Sequence, residues 1–85
     1  MSDIVIFGIC IRRDVVDVLK FQNLLTTYGN IIRTRLGLHE GHYETGSIKG
    51  LLLLELAGDM EQIEAFEKAV KEIKGMEIQK MNFAI

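Results

Sequence analysis

The sequence predicts an α+β sandwich of order β-α-β-β-α-β, with a four-stranded antiparallel sheet and two helices on one face. Three observations carry that expectation. Two apolar runs, at residues 4–11 and 48–57, read as buried strands. Each is followed by a segment with apolar residues at helical spacing that a glycine closes, Gly29 in one case and Gly75 in the other. A more polar, β-prone segment then follows each helix, at residues 31–38 and 76–85.

The first run, Ile-Val-Ile-Phe-Gly-Ile-Cys-Ile, is continuous and rich in β-branched residues, the pattern of a strand covered on both faces. Asp14 is a good helix N-cap, and Asp17 places a negative charge near the start, where the helix dipole favours it. That helix is expected to run to Tyr28 and stop at Gly29. Its core stripe passes through Val18, Phe21, Leu25 and Tyr28. Val16 and Leu19 then point away, with Val15 at the margin. In the second strand Arg33 and Arg35 stand two apart and so share a face. Residues 37–46 are polar and glycine-bearing, which suits a long hairpin connection.

The third strand holds Leu51, Leu52, Leu53 and Leu54. Its short length, and the Gly50 and Gly58 that punctuate it, favour a buried strand over a helix. Asp59 caps the second helix, and Gln62 completes a capping-box-like pair. Ile63, Phe66, Val70 and Ile73 fall on one face. Glu64 with Lys68, and Glu67 with Lys71, have the spacing and order of helical ion pairs. The last strand carries Glu77, Gln79, Lys80 and Asn82. This order is the split βαβ, or ferredoxin-like, pattern. It sets the first and third strands in the sheet centre and the others at its edges, matching where the apolar runs and the charges fall.

Composition bounds the function. At 85 residues there is room for one domain, residues 1–85, and nearly half of it is apolar, as a small core requires. The single cysteine, Cys10, excludes an internal disulfide framework and suits a reducing, cytoplasmic setting. The longest apolar run is far short of the ~20 residues that span a bilayer. Asp3 and Arg12-Arg13 around that run argue against a signal peptide. A net charge of −2 provides no electrostatic case for direct nucleic-acid binding.

Both helices of this topology cover one sheet face, so the other should be polar. Here it is not. The first strand offers Ile4, Ile6 and Cys10 on one side, and Val5, Phe7, Ile9 and Ile11 on the other. The third offers Ile48, Leu52, Leu54 and Leu56 against Leu51 and Leu53. Either choice leaves large apolar side chains uncovered, each worth roughly 1.5–3 kcal/mol on burial. Ile4, Ile6, Phe7, Ile9, Leu51, Leu52, Leu53 and Leu54 are therefore the interface candidates, and an identical subunit is the simplest partner.

The run Leu25-Thr-Thr-Tyr-Gly-Asn-Ile-Ile-Arg-Thr-Arg-Leu-Gly-Leu38, after an apolar first strand, resembles the small iron-only hydrogenase system regulator family. Tyr28-Gly29, Ile31-Ile32, Arg35, Gly37, the leucine-rich third strand and Gly75 carry the resemblance over nearly the whole chain. That family is similar to ACT domains and to the C-terminal domain of the nickel-responsive regulator. The resemblance implies an ACT-like fold, dimers or tetramers with sheets packed together, and a regulatory role. Two motifs depart from those relatives. The turn Arg12-Arg13-Asp14-Val15-Val16 has no glycine of the amino-acid-binding kind, and His39 and His42 lack the nickel sensor's spacing.

Among chemical candidates, His39 and His42, near Glu40, Tyr43 and Glu44, could ligate a divalent transition metal. The bland reading is a solvated loop. Arg12, Arg13, Arg33 and Arg35 could gather an anionic effector; the bland reading is edge-strand protection. No nucleophile–base pairing and no phosphate loop is present, so the chain reads as non-catalytic, and no cofactor is expected. The aliphatic sheet offers no aromatics to stack bases. The expectation is thus a regulatory homodimer or homotetramer joined through the open sheet face, with a small-molecule effector at a subunit interface. The rivals are a ligand-free assembly domain and a metal-binding regulator acting through His39 and His42.

Overall fold

A computed structural model describes residues 3–38 and 48–85. The elements are β1 (Asp3–Arg12), α1 (Val18–Thr27), a single 3-10 turn (Gly29–Ile31), β2 (Ile32–Leu38), β3 (Ile48–Leu56), α2 (Met60–Lys71) and β4 (Met76–Ala84). The sheet order is β2-β3-β1-β4, with every neighbouring pair antiparallel. This is the ferredoxin-like α+β arrangement, with the two apolar strands central. No helix among the described residues is long and apolar enough to cross a membrane.

Strand alternation decides the core. Val5, Phe7 and Ile9 of β1 and Leu52, Leu54 and Leu56 of β3 face the helices and are buried. Phe21 and Leu25 descend from α1, and Ile63, Phe66 and Val70 from α2. Phe66 sits at the centre. Its ring stacks on Phe7 at 6.1 Å between centroids and meets Tyr28 at 5.3 Å with a 50° tilt. Leu19 points outward from α1, 65% exposed, as the helical spacing predicts, and Val16, in the turn before the helix, is 70% exposed.

Local chemistry corrects three details. The N-cap of α1 is Asp17, whose Oδ1 accepts from the Lys20 N–H at 2.9 Å, and not Asp14. Asp14 lies in a turn closed by Val15 N–H donating to the Arg12 carbonyl at 3.1 Å, so the helix cannot begin there. On α2, Asp59 accepts from Glu61 N–H, but Gln62 does not reach back to the cap. Its Oε1 accepts from Asn30 Nδ2 at 3.1 Å and ties α2 to the 3-10 turn. On β2 the register slips between Ile32 and Thr34, so Arg33 is the extra residue of a bulge.

Two clasps join the halves of the chain. At one end, Arg12 N–H donates to the Gly75 carbonyl at 2.8 Å, and Val16 N–H to the Lys74 carbonyl at 3.2 Å. At the other, Ala57 N–H donates to the Ile31 carbonyl at 2.9 Å. Gly75 has φ +91°, and a Cβ there would lie 2.4 Å from the Val15 Cα. Positive φ and backbone contact both demand glycine. Gly75→Ala should therefore lower stability by about 2 kcal/mol or more. Gly29→Ala, with open space around it and no positive φ, should be neutral or slightly stabilising. Paired urea melts of the two variants check this, and equal midpoints would contradict the clasp.

Glu67 is a charged residue of α2 that is nearly buried. Burial pushes its carboxyl up, but hydrogen bonds from Lys71 (2.8 Å) and Lys80 of β4 (3.1 Å) outweigh it and hold the group below its ordinary value. A folded-state value below the unfolded one of ~4.3 means the ionised form stabilises the fold. That contribution is complete above the unfolded value and fades as pH falls through the folded one. Glu67→Gln should cost on the order of 1 kcal/mol at neutral pH and flatten the acid limb of the stability curve. Urea midpoints across the acid range read it, and an unchanged limb would mean the pairs contribute nothing.

Candidate functional site: the uncovered sheet face

The face away from the helices can be built row by row from the register. Ile4 stands beside Phe83, and Ile6 between Met81 and Glu55. Gly8 lies between Gln79 and Leu53, and Cys10 between Glu77 and Leu51. On β2, Thr34 adjoins Glu55, Leu36 adjoins Leu53, and Leu38 adjoins Leu51. Most of these side chains are apolar. Leu36, Met81 and Phe83 each leave about half of their surface in water, and Ile4, Ile6, Leu51 and Leu53 are half-buried among their neighbours.

The polar groups on this face are satisfied within the chain. Thr34 Oγ1 donates to Glu55 Oε1 at 2.8 Å. At the far end Arg12 pairs with Glu77, whose other oxygen accepts from Gln79 Nε2 at 3.4 Å. The hydrogen bond to Glu77 holds the Arg12 guanidinium above its usual range, and the bond from Arg12, then that from Gln79, hold the Glu77 carboxyl below its own. Because position 8 has no side chain, the face is dented there. A cavity of about 280 Å³ opens over Gly8, Cys10 and Leu51, with Arg12 and Glu77 at its rim. The thiol of Cys10 is free and half-buried.

Of the eight interface candidates, Ile4, Ile6, Leu51 and Leu53 lie on this open face. Phe7, Ile9, Leu52 and Leu54 do not. They are buried beneath the helices because the opposite strand parity faces the core, so they are withdrawn from the interface. Sequence reasoning missed Leu36, Met81 and Phe83, which the edge strands bring to the same surface. The alternation of Met81 and Phe83 with polar Lys80 and Asn82 was the available signal.

The four arginines do not converge. Arg12 is held by Glu77 on the open face. Arg35 stands opposite Leu54 and so faces the helix side. Arg33 is the extra residue of the β2 bulge and is exposed. Arg13 is exposed in the turn that follows β1. A shared anion site built from these four is thereby corrected. His39 and His42 lie outside the described residues, and among the described residues no group of three His, Cys, Asp or Glu side chains could hold a metal.

With this geometry in hand, comparisons with known proteins are informative about the fold. No protein-family model matches the chain, and no curated protein does. Among solved structures, an uncharacterized protein of Thermotoga maritima, TM1266, superposes with a TM-score of 0.81 at 17% identity, over 99% of this chain and 100% of that one. The two chains share a fold. The LarC2 C-terminal domain of a cyclometallase involved in synthesis of the NPN cofactor of lactate racemase matches at a TM-score of 0.45 and 10% identity, over 59% of its length. That likeness is too loose to carry an argument.

If the open face is a surface for association, one charged side chain in its middle separates folding from assembly. Leu53 is flanked by Gly8 and Leu36 and its substitution disturbs no core contact. Leu53→Lys should leave the far-ultraviolet circular dichroism unchanged while lowering the molar mass in sedimentation. Leu52→Lys, one residue away but in the core, should abolish folding. Equal behaviour of the two variants would contradict the assigned faces.

Proposed function

We propose that this chain is an ACT-like, non-catalytic regulatory module of the iron-only hydrogenase system regulator kind. It assembles as a homodimer or homotetramer through the open sheet face and senses a small ligand at a subunit interface. The observation that carries the reading is the apolar surface formed by Ile4, Ile6, Leu36, Leu51, Leu53, Met81 and Phe83. Burying what remains exposed of each is worth on the order of 1 kcal/mol. Summed over two copies, that is enough to offset the ordering cost of association, about 4–15 kcal/mol. The dent over Gly8, with a charged pair at its rim, would be closed from above by a second sheet and supplies the interface ligand position. A reducing, cytoplasmic setting suits the free thiol of Cys10.

A second reading, a ligand-free assembly domain, draws on the dispersal of the four arginines. Arg12 is neutralised by Glu77 on this face, and Arg35 lies on the other. Light scattering at micromolar concentration should find at least a dimer, and a melting screen against amino acids, nucleotides and organic acids should find one stabilising class. A stable monomer would remove both readings. A dimer with a flat screen would leave the assembly domain standing.

A further inference from the structure

The helix-facing side of the sheet is not filled to its corner. Gly37 stands beside Leu52, and Gly50 beside Ile11, so two positions on the helix-facing side of the sheet carry no side chain. Between this part of the sheet and α1 lies a cavity of about 190 Å³, walled by Ile11, Val18, Phe21, Leu25, Leu51 and Leu52. Among the described residues its polar lining is Gln22 and Arg35, with no acidic side chain. Arg35 reaches it because the residue pairs with Leu54, on the helix side, one row from Gly37. Among the described residues Arg35 makes no ion pair.

We propose that this corner binds a small apolar monocarboxylate. A dry cavity of ~150 Å³ with aliphatic and aromatic walls holds a benzene ring. The space here therefore suits one ring or one branched chain, with its carboxylate at the rim. The guanidinium takes the carboxylate in a bidentate pair, and the Gln22 amide is a further donor. The same lining disfavours an amino acid, whose ammonium would stand near the Arg35 guanidinium with no carboxylate among the described residues to pair it. The cavity lies within one subunit, so its occupancy does not rest on the assembly proposed above.

Phenylacetate is the probe. Methyl shifts of Val18 and Leu52 in NMR spectra should move on titration, and at about 10 mM the melting temperature should rise by about 5 °C or more if binding is near-millimolar. Phenylacetamide and phenylalanine should bind at least ten-fold more weakly. Arg35→Gln, on an exposed edge position, should weaken phenylacetate about ten-fold or more without altering the fold. Val18→Phe, which enlarges a wall of the cavity, should abolish binding by filling the corner. The monomeric Leu53→Lys variant should bind as wild type does. Absence of methyl shifts with phenylacetate, equal binding of phenylalanine, or unchanged affinity in Arg35→Gln would each overturn the proposal.

Discussion

The arrangement depends on how much sheet two helices can roof. Strands lie about 4.8 Å apart, so four of them make a slab that two helices, each about 10 Å across, cover once and on one side only. Both central strands are apolar at both parities, so a choice of face had to be made. Two residues make it. Glu55 and Gly8 share the parity of Ile4, Ile6, Leu51 and Leu53. Turning that parity inward would bury a carboxylate under the helices and leave a void at position 8. The alternative buries Phe7, Ile9, Leu54 and Leu56 without a polar atom among them, and Phe66 fills the centre. The open face is therefore the residue of a packing decision, and its chemistry follows from what the core could not accept.

The connections are organised by the same economy. Each strand-to-helix turn bonds to the helix-to-strand turn of the other half. The turn after β1 is held by Gly75 and Lys74, and the turn after β3 by Ile31. Residues 74–75 can only serve the first turn if the chain passes within backbone contact of Val15, and Gly75 provides that approach at φ +91°. Val15 then sits against the core while Val16 and Leu19 remain outside. The exposure of those two side chains is a consequence of a short helix start pinned from behind. It needs no second partner to explain it.

Much of this was legible in advance, for a stated reason. The α2 stripe of Ile63, Phe66, Val70 and Ile73 has a strong period, and periods survive tertiary context. The strand order follows from which runs were apolar. The misreadings share a different cause: they turned on choices between local partners of equal quality. Asp14 and Asp17 are both competent caps, and only the turn closed by Val15 selects the second. Gln62 has the spacing to reach its own cap, but once the 3-10 turn docks its side chain accepts from Asn30. The bulge at Arg33 leaves no mark in the sequence, yet it resets the alternation of β2 and so decides which residues of that strand join the open face.

The two candidate surfaces lie on opposite sides of one strand. Leu51 and Leu53 belong to the open face, while Leu52 between them walls the corner beneath α1. β3 is held by β1 on one side and β2 on the other, and a close-packed sheet resists bending at a single residue. A ligand in the corner is therefore accommodated against α1 and not through the sheet. The two surfaces fill independently: the corner needs no second copy of the chain, and the open face needs no ligand.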